Sequence, residues 1–191
     1  MANKWQVKRL AGALGAEVTN VDLTIATEAH IKQVNELLLE HKVLFFPGQT
    51  MSPEQHVAFG HNFGELEDHP NLKNPFTDHP YIFELAATQG GVADEWHTDI
   101  TFQDKPSIMS ILHMVKCPEF GGDTMWTNLY QAYQELSPPM QALCNGLSAL
   151  HDAHPSPCAF SLKRRRSLPA ILAAFGLSPS PQLVPRLFFS Q

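Results

Sequence analysis

The acidic residues of this chain all lie before residue 155, and this uneven distribution divides the sequence into two unlike parts. The first 154 residues hold all 19 Asp and Glu residues, all ten histidines and eight of the 13 Lys and Arg residues, a net charge of −11. The segment 155–191 holds five cations, no acid and six of the 15 prolines. Because an acidic body repels phosphates, we expect no nucleic-acid partner. We predict a main domain portion over 1–154 and a basic, Pro/Ser-rich tail over 155–191.

Length and cysteine usage restrict the class of protein further. With 191 residues, the chain has the size of one ordinary domain. It contains no run of ~18 apolar residues, the length that a membrane helix requires, so no membrane partner is expected. The apolar run 10–16 is too short and glycine-rich for a signal peptide. Three cysteines without metal-type spacing fit a reducing compartment, and we predict a cytoplasmic protein, with homo-oligomer formation left open.

Apolar periodicity and capping residues predict short strands with a few helices. Apolar residues recur at helical spacing over 28–42, which predicts an amphipathic helix, and the wholly apolar run 43–46 predicts a buried strand. Ser52 and Gln55 form a capping-box pattern that predicts a helix running to about residue 63. This mixture indicates an α+β fold. The remaining predicted elements are strands over 81–85, 96–102, 107–115 and 123–127, and a helix that begins at residue 138.

The segment from Trp96 to Asp99 carries residues that could bind a metal. Alternate side chains share one face of an extended strand, so His97 and Asp99 are expected on the same side. An imidazole and a carboxylate so placed supply two of the three ligands of the facial triad, which binds Fe(II) and leaves positions for substrate and dioxygen. A His-x-Asp pair alone is a weak signal, and a structural or surface role is the alternative.

A second segment, 121–127, has the sequence Gly-Gly-Asp-Thr-Met-Trp-Thr. Two adjacent glycines predict a tight turn, and a hairpin turn followed by a strand would explain them without any function. The segment gains significance from its position downstream of His97 and Asp99, since two motifs in order are more specific than either one alone.

Together the two segments resemble the signatures of the taurine dioxygenase (TauD/TfdA) family of Fe(II)- and 2-oxoglutarate-dependent dioxygenases. The resemblance extends in order over about residues 5–154 and includes the stretches 41–46 and 63–66. It implies a double-stranded β-helix (jelly-roll) core with flanking helices. It also implies a reaction in which 2-oxoglutarate is decarboxylated with dioxygen at Fe(II) and a substrate C–H bond is hydroxylated.

The resemblance implies roles for four residues. His97 and Asp99 match two iron ligands, and Thr124 matches a threonine whose hydroxyl binds a carboxylate of 2-oxoglutarate. His69 matches a histidine that holds the substrate anion. No residue is assigned as an acid–base or nucleophilic catalyst. The implied substrate is a small organic acid, namely a sulfonate, an alkyl sulfate or a carboxylate.

Two departures from the family pattern shape the remaining expectations. Leu72 and Ala93 stand where the taurine enzyme has polar substrate contacts, which argues for a substrate with a larger apolar body than taurine. No residue is assigned as the family's second iron-binding histidine or its 2-oxoglutarate-binding arginine, because no histidine follows His154 and Arg186 lies in no matching motif. The jelly-roll is therefore expected to be incomplete at its C-terminal side.

The tail is expected to add no sheet strand, because prolines interrupt strand pairing, and its basic run 163–166 is expected to be a solvated coil. Two alternatives to the active dioxygenase stay open. One is a truncated, catalytically inactive fragment of such an enzyme. The other is a jelly-roll metal-dependent hydrolase, which would use His97 and Asp99 but leaves the Gly-Gly-Asp-Thr sequence unexplained.

Overall fold

The structure is a computed structural model, and it describes residues 4–67, 75–76, 79–85, 96–99, 101, 103, 105–151, 164–167 and 186–190. The strands are β1 (Gln6–Arg9), β2 (Ala16–Thr19), β3 (Val43–Pro47), β4 (Pro75–Phe76), β5 (His79–Phe83), β6 (Ser110–Met114), β7 (Ser148–His151), β8 (Arg164–Ser167) and β9 (Arg186–Ser190). The α-helices are α1 (Glu28–His41), α2 (Pro53–Gly60), α3 (Leu129–Gln134) and α4 (Pro138–Asn145), with 3-10 turns at Leu23–Ile25 and His61–Phe63. Among the described helices, none has the length and apolar content that a membrane span requires.

The largest sheet has five strands in the order β1-β2-β3-β9-β6. β1 and β2 pair antiparallel, whereas β2 with β3, β3 with β9, and β9 with β6 are parallel pairs. Strands β4 with β5 and β7 with β8 form separate antiparallel pairs. The described fold is therefore a mixture of helices and a mostly parallel sheet, which agrees with the α+β prediction at that level.

Among the residues whose side-chain burial the structure describes, the buried apolar side chains other than Pro106 lie between Trp5 and Phe59. Helix α1 contributes Ile31, Val34 and Leu38, which recur on one face as the helical spacing predicts. Strand β3 lies beneath this helix, and the stabilisation from burying each such side chain is about 1.5–3 kcal/mol. The largest fully buried side chains are Phe46, Leu23, Leu38, Leu44, Val18 and Val34.

The predicted start of helix α2 is confirmed in detail. The Ser52 hydroxyl accepts a hydrogen bond from Gln55 N at 3.3 Å, and the Gln55 side chain accepts one from Ser52 N at 2.9 Å. Each bond satisfies a backbone donor that the first helical turn would leave without a partner. The 3-10 turn His61–Phe63 follows directly, so the helical segment ends where the sequence predicts.

Two predicted strands are wrong. Residues 96–99 are irregular, with Asp99 in a turn, and residues 121–128 contain no strand. A strand requires a neighbour that pairs with its backbone, and the strand that pairs with β6 is β9. Gly121 and Gly122 have φ values of 79° and 73°, a conformation that favours glycine, but the backbone over 121–128 forms neither a regular turn nor a strand.

The expectation that the tail adds no sheet strand is also wrong. Strand β9 lies between β3 and β6, with Leu44 opposite Leu187 and Phe46 opposite Phe189. The sequence places Pro185 before this strand and no proline within it, so the prolines of the tail do not interrupt the pairing. Within the basic run, Arg164–Ser167 forms β8 and pairs with β7 instead of remaining a coil. The domain boundary at residue 154 stays a prediction.

Candidate metal centre

The structure brings His97 and Asp99 together. His97 Nε2 lies 3.1 Å from Asp99 Oδ1, and the two side chains are 53% and 37% exposed. The turn at Asp99 achieves this contact without the extended strand that the sequence predicts. Both side chains are therefore partly exposed to solvent while these two atoms already face each other.

The donor set and its spacing fit a divalent transition metal. An ion that holds an imidazole nitrogen and a carboxylate oxygen at about 2.1 Å in adjacent octahedral positions keeps these donors about 3 Å apart. The separation of 3.1 Å between His97 Nε2 and Asp99 Oδ1 meets this condition. One imidazole with one carboxylate is also part of the ligand set that non-haem Fe(II) sites use. Within the described residues, no group of three or more His, Cys, Asp or Glu side chains is gathered for a metal.

A second imidazole–carboxylate pair, which the sequence analysis missed, joins helix α2 to strand β5. His79 Nε2 lies 3.0 Å from Glu54 Oε1. The Ser52 hydroxyl also donates to Glu54; this bond, the backbone amide of Glu54 and the His79 contact together lower the pKa of Glu54 to about 2. Because Glu54 takes part in the N-terminal turn of α2, this pair serves to attach the helix, and it provides a natural comparison for the His97–Asp99 pair.

Thr124 lies on the irregular segment that follows Gly121 and Gly122, and its side chain is exposed. The hydroxyl of a threonine can donate to a carboxylate oxygen without competing for a metal. The binding roles of Thr124, His97 and Asp99 remain predictions. His69, Leu72 and Ala93 lie outside the described residues.

The segment that carries Thr124 is attached to the body by side chains to which the sequence analysis gave no role. The rings of Trp126 and Phe45 meet edge to face with centroids 5.6 Å apart. Asn128 Nδ2 donates to the carbonyl oxygen of Ala13 at 2.8 Å. In the sequence, the signal that could have predicted this attachment is the aromatic residue two positions after Thr124.

A pair of histidines lies where α2 packs near β6. The ring centroids of His56 and His113 are 6.2 Å apart, at an interplanar angle of 81°. Burial, and next the neighbouring His113, lower the pKa of His56, and a hydrogen bond with the backbone of Ile111 partly opposes them. Nε2 of His113 is buried and has no hydrogen-bond partner among the described residues.

An open, polar cleft of about 480 Å³ lies beside helix α3 and contains none of the predicted site residues. The Lys42 ammonium lies 6.0 Å from the centre of the Tyr130 ring, and burial lowers the pKa of Lys42, an effect that Glu40 partly offsets. The lining residues are Lys42, Asn128, Tyr130, Gln131, Gln134 and Glu135.

Comparison with known proteins identifies relatives of this chain. It is 38% identical over 149 residues to the alkylsulfatase of Acinetobacter baylyi, a match that covers 76% of this chain and 46% of that protein. It is 38% identical over 148 residues to the alpha-ketoglutarate-dependent sulfate ester dioxygenase of Pseudomonas putida, covering 76% and 48% respectively. The chain thus spans about half the length of the curated relatives it matches.

A solved structure shows the same likeness in three dimensions. The crystal structure of a taurine dioxygenase from Burkholderia xenovorans matches with a TM-score of 0.62 and 36% identity, covering 79% of this chain and 54% of that one. The sequence model of the family described as taurine catabolism dioxygenase TauD, TfdA matches residues 6–171, a range that includes both motif segments and extends past residue 154. This chain therefore belongs to the taurine catabolism dioxygenase TauD, TfdA family.

Proposed function

We propose that this chain carries the iron-binding and co-substrate-binding segments of an Fe(II)- and 2-oxoglutarate-dependent dioxygenase that hydroxylates a small organic acid. The observation that supports it most directly is the approach of His97 Nε2 and Asp99 Oδ1 to 3.1 Å within the Trp-His-Thr-Asp motif. Family membership supports the same chemistry over a metal-dependent hydrolase. Likeness to a taurine dioxygenase structure further supports a jelly-roll core.

Each of the three proposed residues has a distinct task. His97 binds the metal through Nε2 as a neutral imidazole, and Asp99 contributes a negative oxygen beside it. When bound, Fe(II) supplies the activation of dioxygen that accompanies decarboxylation of 2-oxoglutarate and hydroxylation of the substrate. Thr124 donates its hydroxyl proton to a carboxylate oxygen of 2-oxoglutarate and so orients the co-substrate.

The proposed substrate is an alkyl sulfate or a related sulfonate or carboxylate. Two relatives with 38% identity are named for sulfate ester chemistry, an alkylsulfatase and a sulfate ester dioxygenase. His69 is proposed to meet the anionic group. Leu72 and Ala93 replace two polar partners by apolar side chains, which favours a substrate with an apolar body over taurine with its amine.

The direct test is anaerobic titration of the chain 1–191 with Fe(II) in the presence of 2-oxoglutarate. We expect a weak metal-to-ligand charge-transfer absorption band in the visible range, and we expect His97→Ala to abolish it. His79→Ala is the matched control, because it removes the imidazole of a pair with nearly the same separation, 3.0 Å, that serves to attach helix α2. The His79 variant should retain the band.

Specific results would contradict the proposed metal site and the proposed substrate. A band that survives His97→Ala, or one that disappears in the His79 variant alone, would show that the metal binds elsewhere. For the substrate, the amount of hydroxylated product formed per 2-oxoglutarate consumed should be compared across alkyl sulfates, sulfonates and carboxylates in the presence of oxygen. If taurine gave the highest ratio of product formed to 2-oxoglutarate consumed, the proposed preference for a substrate with an apolar body would be wrong.

A further inference from the structure

The residue proposed to bind 2-oxoglutarate has no helix or strand to hold it in place. Residues 121–128 are irregular, and Asp123, Thr124 and Met125 are exposed. Gly121 and Gly122 precede Thr124 with φ values of 79° and 73°, and glycine is the residue whose backbone is least restricted. Contacts that attach this segment to the body are made farther along it.

Those contacts begin two residues after Thr124 and recur at every second residue. Trp126, Asn128 and Tyr130 are half-buried, whereas residues 125, 127 and 129 between them are exposed. Up to Asn128 such alternation is typical of an extended segment with one face against a surface, whereas Tyr130 already belongs to helix α3. Trp126 is the first of the three anchored residues after Thr124, so it is the anchor that limits where Thr124 can move.

The contact of Trp126 is with the best-fixed part of the molecule. Its ring meets Phe45 edge to face at 5.6 Å and 76°, an arrangement that aromatic pairs prefer. Phe45 belongs to β3, where it pairs with Glu17 of β2 on one side and with Phe188 of β9 on the other. Strand neighbours on both sides fix the backbone of Phe45, and hence the surface against which Trp126 rests.

The next two anchors secure the far end of the segment. Asn128 Oδ1 accepts hydrogen bonds from Tyr130 N at 3.1 Å and Gln131 N at 3.2 Å, which caps helix α3, while its Nδ2 bonds to Ala13. The Tyr130 ring lies beside the Lys42 ammonium. These contacts would remain if Trp126 were changed, so the loss of its ring should free residues 121–125 without releasing α3.

We propose that Trp126 is a positioning residue for 2-oxoglutarate: its contact with Phe45 holds the segment from which Thr124 reaches the co-substrate carboxylate. This inference rests on the proposed function, because it assumes that Thr124 binds 2-oxoglutarate. It adds that the affinity contributed by Thr124 depends on an aromatic contact that touches neither the metal nor the co-substrate.

The test measures 2-oxoglutarate binding to the Fe(II)-loaded chain by anaerobic calorimetry. Trp126→Ala should weaken 2-oxoglutarate binding about two- to tenfold, the effect of losing one aromatic contact, and leave Fe(II) affinity unchanged. Trp126→Phe keeps a ring against Phe45 and should restore most of the affinity. Met125→Ala is the neighbouring control, since that side chain is 71% exposed and should have no effect.

A double-mutant cycle separates positioning from simple structural support. If Trp126 acts through Thr124, Trp126→Ala should cause no further loss once Thr124→Ala is present. Hydrogen exchange of amides 122–125 in the metal-free chain should also be faster in Trp126→Ala. If that variant does not fold, Phe45→Leu removes the same ring contact from the other side, keeps an apolar side chain, and should give the same pattern.

The outcomes distinguish the two proposals. If Thr124→Ala weakens binding and the effect of Trp126→Ala simply adds to it, the positioning role is wrong and the proposed function stands. Faster exchange with unchanged 2-oxoglutarate affinity would overturn the positioning role in the same way. If the unsubstituted chain binds Fe(II) but no 2-oxoglutarate, both proposals fall.

Discussion

The first sixty residues of this chain and the segments that carry its candidate site are built in different ways. Among the residues whose side-chain burial the structure describes, the buried apolar side chains other than Pro106 lie between Trp5 and Phe59, most of them on helices and strands that pack against each other. The site segments 96–99 and 121–128 have no regular secondary structure, and Trp96 and Met125 are 68% and 71% exposed. The site therefore depends on being attached to a core that it does not help to form.

This difference has a consequence for binding. Segments with few buried contacts have the lowest free energies of local unfolding, so they open most easily. The proposed metal ligands His97 and Asp99 are partly exposed, and the few side chains that anchor the Thr124 segment determine how well its geometry is kept. The proposed site thus meets the core through few contacts, of which Trp126 with Phe45 is one.

The largest expected effect is on the core. Phe46→Ala removes a side chain with 0% exposure from β3 and should lower the free energy of unfolding by about 3–5 kcal/mol, because a cavity remains where the ring packed. Leu143→Ala, on α4 with 55% exposure, should change it by no more than about 0.5 kcal/mol. Urea denaturation followed by circular dichroism measures both.

Equal losses of unfolding free energy in Phe46→Ala and Leu143→Ala would contradict this difference between the first sixty residues and the later part of the chain. They would mean that the exposed face of α4 is covered in solution and that the second half of the chain has a core of its own. Phe46→Leu, which keeps most of the apolar volume, should lie between the parent and Phe46→Ala.

The success of prediction from the sequence also differs between these parts of the molecule. Helix α1 and the start of α2 were predictable because their signals are local: apolar spacing over Glu28–His41, and the Ser52–Gln55 capping box. The strand predicted over 96–102 failed because a strand also needs a partner, and local pattern does not specify one. Strand β9 was missed for the same reason, since its position between β3 and β6 depends on residues far away in sequence.

Prediction of the candidate site from the sequence meets a similar limit. The pairing of His97 with Asp99 was predictable from their spacing, although a turn rather than a strand brings them together. The attachment of Trp126 to Phe45 was not, because it joins residues about eighty positions apart through side chains alone. Motifs identify the groups that do chemistry, whereas the contacts that hold them come from the tertiary structure.

A smaller effect is expected at Gln49, a buried polar side chain of the core region. Its Oε1 accepts a hydrogen bond from Leu23 N at 3.0 Å, and its Nε2 donates to Val21 O at 2.8 Å. Gln49→Met keeps the shape but leaves these two backbone groups without partners, at a cost of about 1–3 kcal/mol in unfolding free energy. Gln6→Met on exposed β1 is the control and should be neutral. A neutral Gln49→Met would indicate that water replaces the amide.

The smallest expected effect is a pH dependence that arises at His56. Burial and the neighbouring His113 lower the pKa of His56 in the folded state below its ordinary value of 6.5. As the pH falls through 6.5, the unfolded chain binds a proton at this histidine before the folded chain does, so the free energy of unfolding decreases. Glu54 does not contribute in this range, because its folded pKa of about 2 and its ordinary value of 4.5 both lie lower.

His56→Gln should therefore make stability less dependent on pH between 7.5 and 5.5. Urea denaturation at the two pH values measures the slope in the parent and the variant. If His56→Gln and the parent lost stability equally on acidification, the contact between α2 and β6 would not be sensitive to protonation at His56. A reduced slope in the His56 variant alone would identify this contact, within the well-packed part of the molecule, as one that acid weakens.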